Sequence, residues 1–155
     1  MIFTLTLIAA LGSGLIAGTF FAFSTFVMKS LARLPAGEGI AAMQSINLVI
    51  LKSWFMPAFL GMAALSVLAL VQSLLRWHEP NAVYFLAGGL LYLVGSFLVT
   101  MVFNVPRNVA LDSIKPNDSG NAEKWAGYVE IWTMWNHVRT VASLAAAASF
   151  SMALV

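Results

Sequence analysis

The side chains best suited to chemistry are concentrated in one stretch near the carboxyl end of the chain. This stretch places His137 and Arg139 within one helical turn, and Glu130 two turns earlier. Ionisable groups are costly in hydrocarbon unless they are paired, so inside a membrane helix they indicate a functional site. Glu130 and His137 would lie roughly 10 Å apart along a helix, which is too far for both to ligate one metal ion. They could interact through Thr133 or a water molecule.

Helical geometry assigns the polar side chains of this stretch to one face. At about 100° per residue, five of them share a face about 120° wide: Glu130, Thr133, Asn136, His137 and Thr140. We expect this polar face to look into a helix bundle. Trp132 and Arg139 lie together on an adjoining face.

Composition indicates the environment of this site. The chain has 155 residues, of which 61% are hydrophobic and 9% charged, whereas a soluble globular protein has about 25% charged residues. These values argue against an ordinary soluble enzyme, a nucleic-acid-binding protein and a disordered chain, and predict an integral membrane protein. The absence of cysteine excludes disulfides, zinc–thiolate sites, iron–sulfur clusters and thiol nucleophiles. With two histidines a multi-histidine metal site is hard to build, so no metal site is predicted.

Four apolar stretches are long enough to cross a bilayer, whose core requires roughly 20 residues of helix. We predict spans at about residues 3–30, 53–76, 82–104 and 123–154. The predicted fold class is all-α, a four-transmembrane-helix bundle in a single membrane domain of residues 1–155. Between the first two spans, apolar residues at positions 40, 43 and 46 predict a short amphipathic helix over residues 39–47 at the membrane interface. The connection after the third span is expected to run from Pro106 to Asn121.

The positions of lysine and arginine predict the orientation of the spans. Six of them lie in or beside the two long loops: Lys29, Arg33, Lys52, Arg107, Lys115 and Lys124. The short connection on the opposite side carries Arg76. Both long loops are therefore predicted in the cytoplasm and both termini outside it, which places the polar side chains in the cytoplasmic half of the membrane.

Small residues recur at every fourth position on the first span, at Gly14, Gly18 and Ala22. Such a stripe lets a second helix approach closely. The second helix could belong to the same chain or to another copy, so the stripe is compatible with a monomer and with a homo-oligomer.

Two motifs resemble those of a known family. They are Phe103-Asn104-Val105-Pro106-x-Asn108 and Trp132-x-x-Trp135-Asn136-x-x-Arg139-Thr140. Together with residues 14–24 and 43–47, they make nearly the whole chain similar to the anthrone oxygenase-like family of small four-helix membrane proteins. The family includes many bacterial members, and we expect this chain in a bacterial inner membrane.

The resemblance implies a membrane oxygenase that oxidises an anthrone, a flat tricyclic aromatic, to its anthraquinone with O₂. An anthrone loses a methylene proton to give an aromatic phenolate, and this electron-rich anion can reduce O₂ without a metal or a flavin. A base that titrates near neutral pH suits His137, and a cation that holds phenolate, superoxide or peroxide suits Arg139. Glu130 could tune the histidine through an intermediary.

The same resemblance implies the substrate contacts and the partners. The candidate substrate-binding residues are Asn104, Asn108, Trp132, Trp135 and Asn136, with Glu130. The amides would orient the oxygens of the substrate, and the indoles would stack on its flat rings. The expected partners are a lipophilic small molecule, O₂ and membrane lipids, with no nucleic acid.

Two other functions remain open at this point. The first is a haem-binding membrane oxidoreductase with His137 as its single axial histidine. Its second ligand would be one of four methionines: Met28, Met43, Met101 or Met134. The other is a non-catalytic accessory or lipophile-binding protein, in which the polar cluster stabilises the fold or seats a partner.

Overall fold

A computed structural model describes residues 2–118 and 120–155. Within these residues the chain forms five helices and no strand, which confirms the all-α prediction. The helices are α1 Ile2–Leu31, α2 Ala36–Leu51, α3 Phe55–Leu75, α4 Ala82–Asp112 and α5 Asn121–Met152.

Three of these helices, α1, α3 and α4, are long and apolar enough to cross a membrane. This bears out the prediction of a membrane protein. The 32-residue helix α5 does not meet the same criterion of apolarity among the described residues. The physical reason is its composition, because its first twenty residues carry the charged and amide side chains, whereas residues 141–155 are almost entirely apolar.

The helix α2 forms most of the connection between α1 and α3. It is longer than the predicted segment 39–47, and it packs against α5 and the end of α4. At Gly39 a Cβ atom would overlap the indole of Trp125, so the absence of a side chain sets how closely α2 approaches α5. The Gln44 amide donates hydrogen bonds of 2.9 Å to the carbonyls of Leu111 and Ile114, which fixes α2 to the end of α4.

The predicted break at Pro106 is wrong, because α4 continues to Asp112. Two π-helical segments, Leu91–Leu98 and Thr100–Asn104, precede the proline. A proline lacks the N–H group and its ring crowds the preceding turn, and a wider π turn absorbs both effects. The connection to α5 is therefore shorter than predicted, and Asn108 lies on a helix rather than in a loop.

Two hydrophobic clusters hold the helices together. One surrounds Phe59, Tyr92 and Phe150 in the half of the bundle that contains the termini, and the other surrounds Met43 and Trp125 where α2 packs. Buried hydrogen bonds join α1 and α5 between the clusters, including Ser24 Oγ to Thr140 Oγ1 at 3.0 Å.

The glycine stripe of α1 does not make the close helix contact within the chain. A Cβ atom at Gly14 or Gly18 would meet no atom within 4 Å among the described residues. The buried positions of α1 include Ser13, Ala17 and Phe20, on a neighbouring stripe. Whether Gly14 and Gly18 contact another copy stays a prediction.

Candidate functional site

A cavity of about 310 Å³ lies between the two hydrophobic clusters. All five helices contribute to its wall, which is mostly apolar. Six polar side chains line it: Thr19, Asn47, Thr100, Asn108, Asp112 and Arg139. Small-molecule sites have this character, with volumes from about 300 Å³ and a few placed polar groups.

The most unusual group in this wall is the side chain of Arg139. It is 4% exposed, and no carboxylate forms an ion pair with it in the described part of the chain, where the single ion pair joins Arg76 to Glu79 at 3.4 Å. A buried charge is normally paired, because removing it from water costs several kcal/mol. Arg139 therefore lacks a paired anion, which a ligand bound in the cavity could supply.

Neutral groups hold the guanidinium in place. Its Nη2 donates to Asn136 Oδ1 at 2.7 Å and its Nη1 donates to Thr100 Oγ1 at 3.3 Å, whereas its Nε has no acceptor in the described part of the chain. The guanidinium carbon lies 4.2 Å from the ring centroid of Phe20 and 5.0 Å from that of Trp132. Cation–π contacts of this kind offset part of the desolvation cost, but they leave the charge itself unpaired.

The Asn136 side chain positions Arg139 from within the bundle. Its Nδ2 donates to the Phe20 carbonyl and to Ser24 Oγ, both at 2.7 Å, while its Oδ1 accepts the arginine bond. The residue is fully buried and does not line the cavity. Its bonds join α1 to α5, so the structure gives it protein partners where a substrate contact was predicted.

The Asn108 amide has one end fixed by protein and the other end open to the cavity. Its Oδ1 accepts hydrogen bonds from Tyr128 Oη at 2.9 Å and from Trp132 Nε1 at 2.8 Å. These two donors set the amide orientation, and no acceptor among residues 2–118 and 120–155 takes a hydrogen bond from its Nδ2. Asn108 and Trp132 both line the cavity, and contact with a substrate stays a prediction for both.

Two other predicted substrate contacts lie outside the cavity wall. The buried Asn104 donates from Nδ2 to the Trp132 carbonyl at 3.2 Å, and its Oδ1 has no partner among the described groups. The half-buried Trp135 stacks on Phe103, with ring centroids 3.6 Å apart and an interplanar angle of 6°. Both residues support neighbours of the cavity rather than lining it.

The prediction that Glu130 and His137 look into the bundle is wrong, because both side chains are exposed. The buried face of α5 is instead the adjoining one: Trp125, Tyr128, Trp132, Asn136, Arg139, Thr140 and Ser143. Three large aromatic rings lie on this face, and burying them is worth more than burying a carboxylate and an imidazole that must be desolvated. Neither Glu130 nor His137 lines the cavity.

Four of the six polar side chains in the wall were not predicted as site residues: Thr19, Asn47, Thr100 and Asp112. Asp112 lies one turn beyond Asn108 on the same face of α4, and it would have been found if the helix had been predicted to continue past Pro106. Asn47 is buried on α2, and its Nδ2 has no hydrogen-bond acceptor within the described residues. With Arg139 Nε, it gives the site two buried donors that lack an acceptor among residues 2–118 and 120–155.

The residues do not suit a haem ligated by His137. The cavity lining includes Met43 and Met101 but no histidine, and His137 is exposed elsewhere on α5. Nor does any group of three or more His, Asp or Glu side chains come together in the described ranges.

The fold and the site define a class, a small all-helical membrane protein with an apolar cavity and one unpaired arginine in its wall. Residues 50–149, more than half of the chain, match the family model described as anthrone oxygenase, and the chain belongs to this family. No curated protein and no solved structure matches it. The matched residues include Asn108, Asp112, Trp132 and Arg139, whereas Phe20 and Asn47 precede them.

Proposed function

We propose that this protein oxidises a flat, lipophilic aromatic of the anthrone type with O₂, inside the cavity between the two clusters. One observation carries the proposal: Arg139 is buried, lines a mostly apolar cavity and forms no ion pair with a carboxylate of the described residues. The ligand that suits such a wall is an apolar molecule that becomes an anion on binding or during reaction. An anthrone is apolar, and loss of its methylene proton converts it to a phenolate anion.

In the proposed reaction Arg139 stabilises charge as it develops. Loss of a methylene proton moves the C–H electron pair into the ring system and gives a phenolate oxygen, which the guanidinium holds. The anion then passes one electron to O₂, and recombination of the radical with superoxide forms a carbon–peroxide bond. Breaking the O–O bond leaves a new carbonyl and water. The peroxide regains the first proton, and loss of the second methylene proton as the O–O bond breaks gives the carbonyl and a hydroxide, which takes up that proton as water. The balance is one anthrone and one O₂ giving one anthraquinone and one water.

The surrounding residues have separate proposed roles. Trp132 and the phenylalanines of the wall pack against the flat rings, and the Nδ2 of Asn108 donates to a second substrate oxygen. Asn136 is a positioning residue, because it acts through Arg139. Asn104 and Trp135 support Trp132 and Phe103 and contact no substrate.

The membrane arrangement is also proposed. We take α5 as the fourth span, in a single domain of residues 1–155, with its polar half beside α2 at the cytoplasmic interface. The lysine and arginine distribution then places both termini outside the cytoplasm of a bacterial inner membrane. Lipids and a lipophilic substrate are the expected partners.

The function can be tested with purified protein in lipid nanodiscs. We expect O₂ uptake and quinone formation with anthrone, and neither with 9,10-dihydroanthracene, which has the methylene groups but no oxygen to hold a negative charge. With ¹⁸O₂, one labelled oxygen should enter each quinone. Anthrone binding without any O₂ uptake would contradict the oxygenase proposal and identify a lipophile-binding protein.

Asn108→Asp tests the amide donor with little change in shape. The aspartate still accepts from Tyr128 and Trp132 but presents an acceptor to the cavity in place of the Nδ2 donor. We expect KM for anthrone to rise by about tenfold, as for the loss of one hydrogen bond. The control is Asn117→Asp, an exposed site in the α4–α5 connection. An unchanged KM in Asn108→Asp would remove this residue from the substrate contacts.

The proton acceptor can be identified by comparing two variants. Asp112 is the one carboxylate in the cavity lining of the described chain, near its exposed end, whereas His137 lies outside the lining. We propose that the proton passes to Asp112 directly or through water. Asp112→Asn should slow anaerobic exchange of the anthrone methylene protons with deuterium from solvent by about 100-fold.

His137→Ala should keep this exchange within about threefold of wild type, as expected for an exposed substitution. The catalytic role that the sequence predicts for His137 stays a prediction until the exchange rates of these two variants are compared. Loss of exchange in His137→Ala with normal folded yield would restore the histidine as the base and contradict the assignment to Asp112.

A further inference from the structure

The halves of α3 and α4 that lie next to α2 are separated by a gap. α3 packs along residues 82–98 of α4, where Tyr92 Oη donates to the Phe59 carbonyl at 3.1 Å. Beyond residue 100 the two helices hardly contact each other. The cavity occupies the space between them and extends inward to Arg139.

The rim of this gap is exposed and mostly apolar. Six residues line the cavity and are also exposed on the outside; five are apolar, Leu48, Leu51, Leu60, Met101 and Val109, and the sixth is Asp112 at the end of α4. They belong to α2, α3 and α4. In a soluble protein a contiguous exposed apolar rim would be a liability, but here it continues the outward apolar surfaces of α3 and α4, which are long and apolar enough to cross a membrane.

The residues that follow α2 resemble a membrane anchor. Trp54 is 89% exposed, and the exposed Lys52 precedes it by two residues. Tryptophan and lysine favour the boundary between headgroups and acyl chains. An anchor at this position would hold Leu48 and Leu51 at the edge of the hydrocarbon.

We infer that the cavity opens sideways into the lipid bilayer, through a portal between α3 and α4 that is bounded by the end of α2. The occupants of the portal are lipid acyl chains, and a lipophilic ligand would enter from among them rather than from water. The route for the ligand depends on the proposed function, whereas the lipid contact of the portal does not.

Spin labels test the lipid contact, and the absence of native cysteine makes single-cysteine variants straightforward. Nitroxides at Leu51→Cys and Met101→Cys, in nanodiscs, should collide often with O₂ and rarely with a water-soluble nickel chelate. Leu68→Cys on the outer face of α3 is the lipid reference, and Ser113→Cys in the α4–α5 connection is the water reference. Nickel collisions at Leu51 and Met101 equal to those at Ser113 would overturn the inference.

A blocking label tests the entry route. Leu60 is 50% exposed at the rim, and Leu68 is 53% exposed two turns further along α3 and outside the cavity. A bulky lipophilic maleimide on Leu60→Cys should slow anthrone binding, measured anaerobically by tryptophan quenching, by at least about tenfold. The same label on Leu68→Cys should have no effect.

Equal binding rates for the two labelled proteins would exclude the portal as the entry route. If wild-type protein binds no anthrone, the proposed function fails, and the spin-label result still decides whether the portal faces lipid.

Discussion

Arg139→Gln is expected to lower anthrone oxidation by at least about 100-fold, comparable to removing one preorganised donor from an oxyanion site. The reason is electrostatic. The guanidinium is the one cation in the cavity wall of the described chain, and an apolar wall strengthens its attraction for a phenolate. Turnover and O₂ uptake of the purified protein measure the effect.

The controls for this substitution separate charge from folding. Glutamine can still bond to Asn136 and Thr100, and removing an unpaired buried charge is not expected to destabilise the bundle. Arg33→Gln, at an exposed site, should behave as wild type. Arg139→Lys keeps the charge but loses the planar fork, so we expect intermediate activity. Wild-type activity in Arg139→Gln would contradict the role of the cation.

Gly95→Val is expected to have the largest effect on folding. A Cβ atom at Gly95 would overlap the Ala142 methyl group on α5, so α4 and α5 must separate to admit a larger side chain. We expect a loss of about 3 kcal/mol in the free energy of unfolding, the upper range for overpacking. Arg139 lies three residues before Ala142, so separation of the helices should also abolish activity.

Gly61→Val is the matched control for this change. Gly61 is also in an apolar helix, α3, but a Cβ atom there meets no atom within 4 Å among the described residues. Both variants replace a helical glycine with the same β-branched residue. The difference between their free energies of unfolding therefore measures the effect of the α4–α5 contact. Similar stabilities for the two proteins in a denaturation series would show that this helix contact is not tight.

The sequence was sufficient to predict the features that depend on composition and length. The all-α class, the membrane environment and a helix between α1 and α3 follow from long apolar stretches and from the spacing of apolar residues. Asn108, Trp132 and Arg139, which the sequence motifs singled out, line one cavity, and their roles there stay predictions. The fourth span and the orientation stay predictions.

The sequence was not sufficient to determine which face of α5 is buried. A polar side chain in a membrane helix was expected to avoid lipid, and that rule placed His137 inside. The alternative is that aromatic packing of Trp125, Tyr128 and Trp132 sets the rotation of the helix, and then Glu130 and His137 must turn outward. The choice between these two orientations depends on the side chains of the neighbouring helices. The sequence of α5 alone does not contain that information.

The end of α4 is a second feature that the sequence pattern did not predict. A proline inside a helix normally ends or kinks it, but two π-helical segments precede Pro106 and the helix continues through it. Because the helix continues, Asp112 reaches the cavity. The pattern of apolar residues alone gave no indication of this continuation.

The central claim is that Arg139 holds the anion of the substrate in an apolar cavity. The most direct test is the absorption spectrum of anthrone bound to the protein without O₂, at a pH where free anthrone is neutral. We expect the visible band of the anion with wild-type protein and its absence with Arg139→Gln. A neutral spectrum with wild-type protein, or the same anion band in both proteins, would contradict the claim.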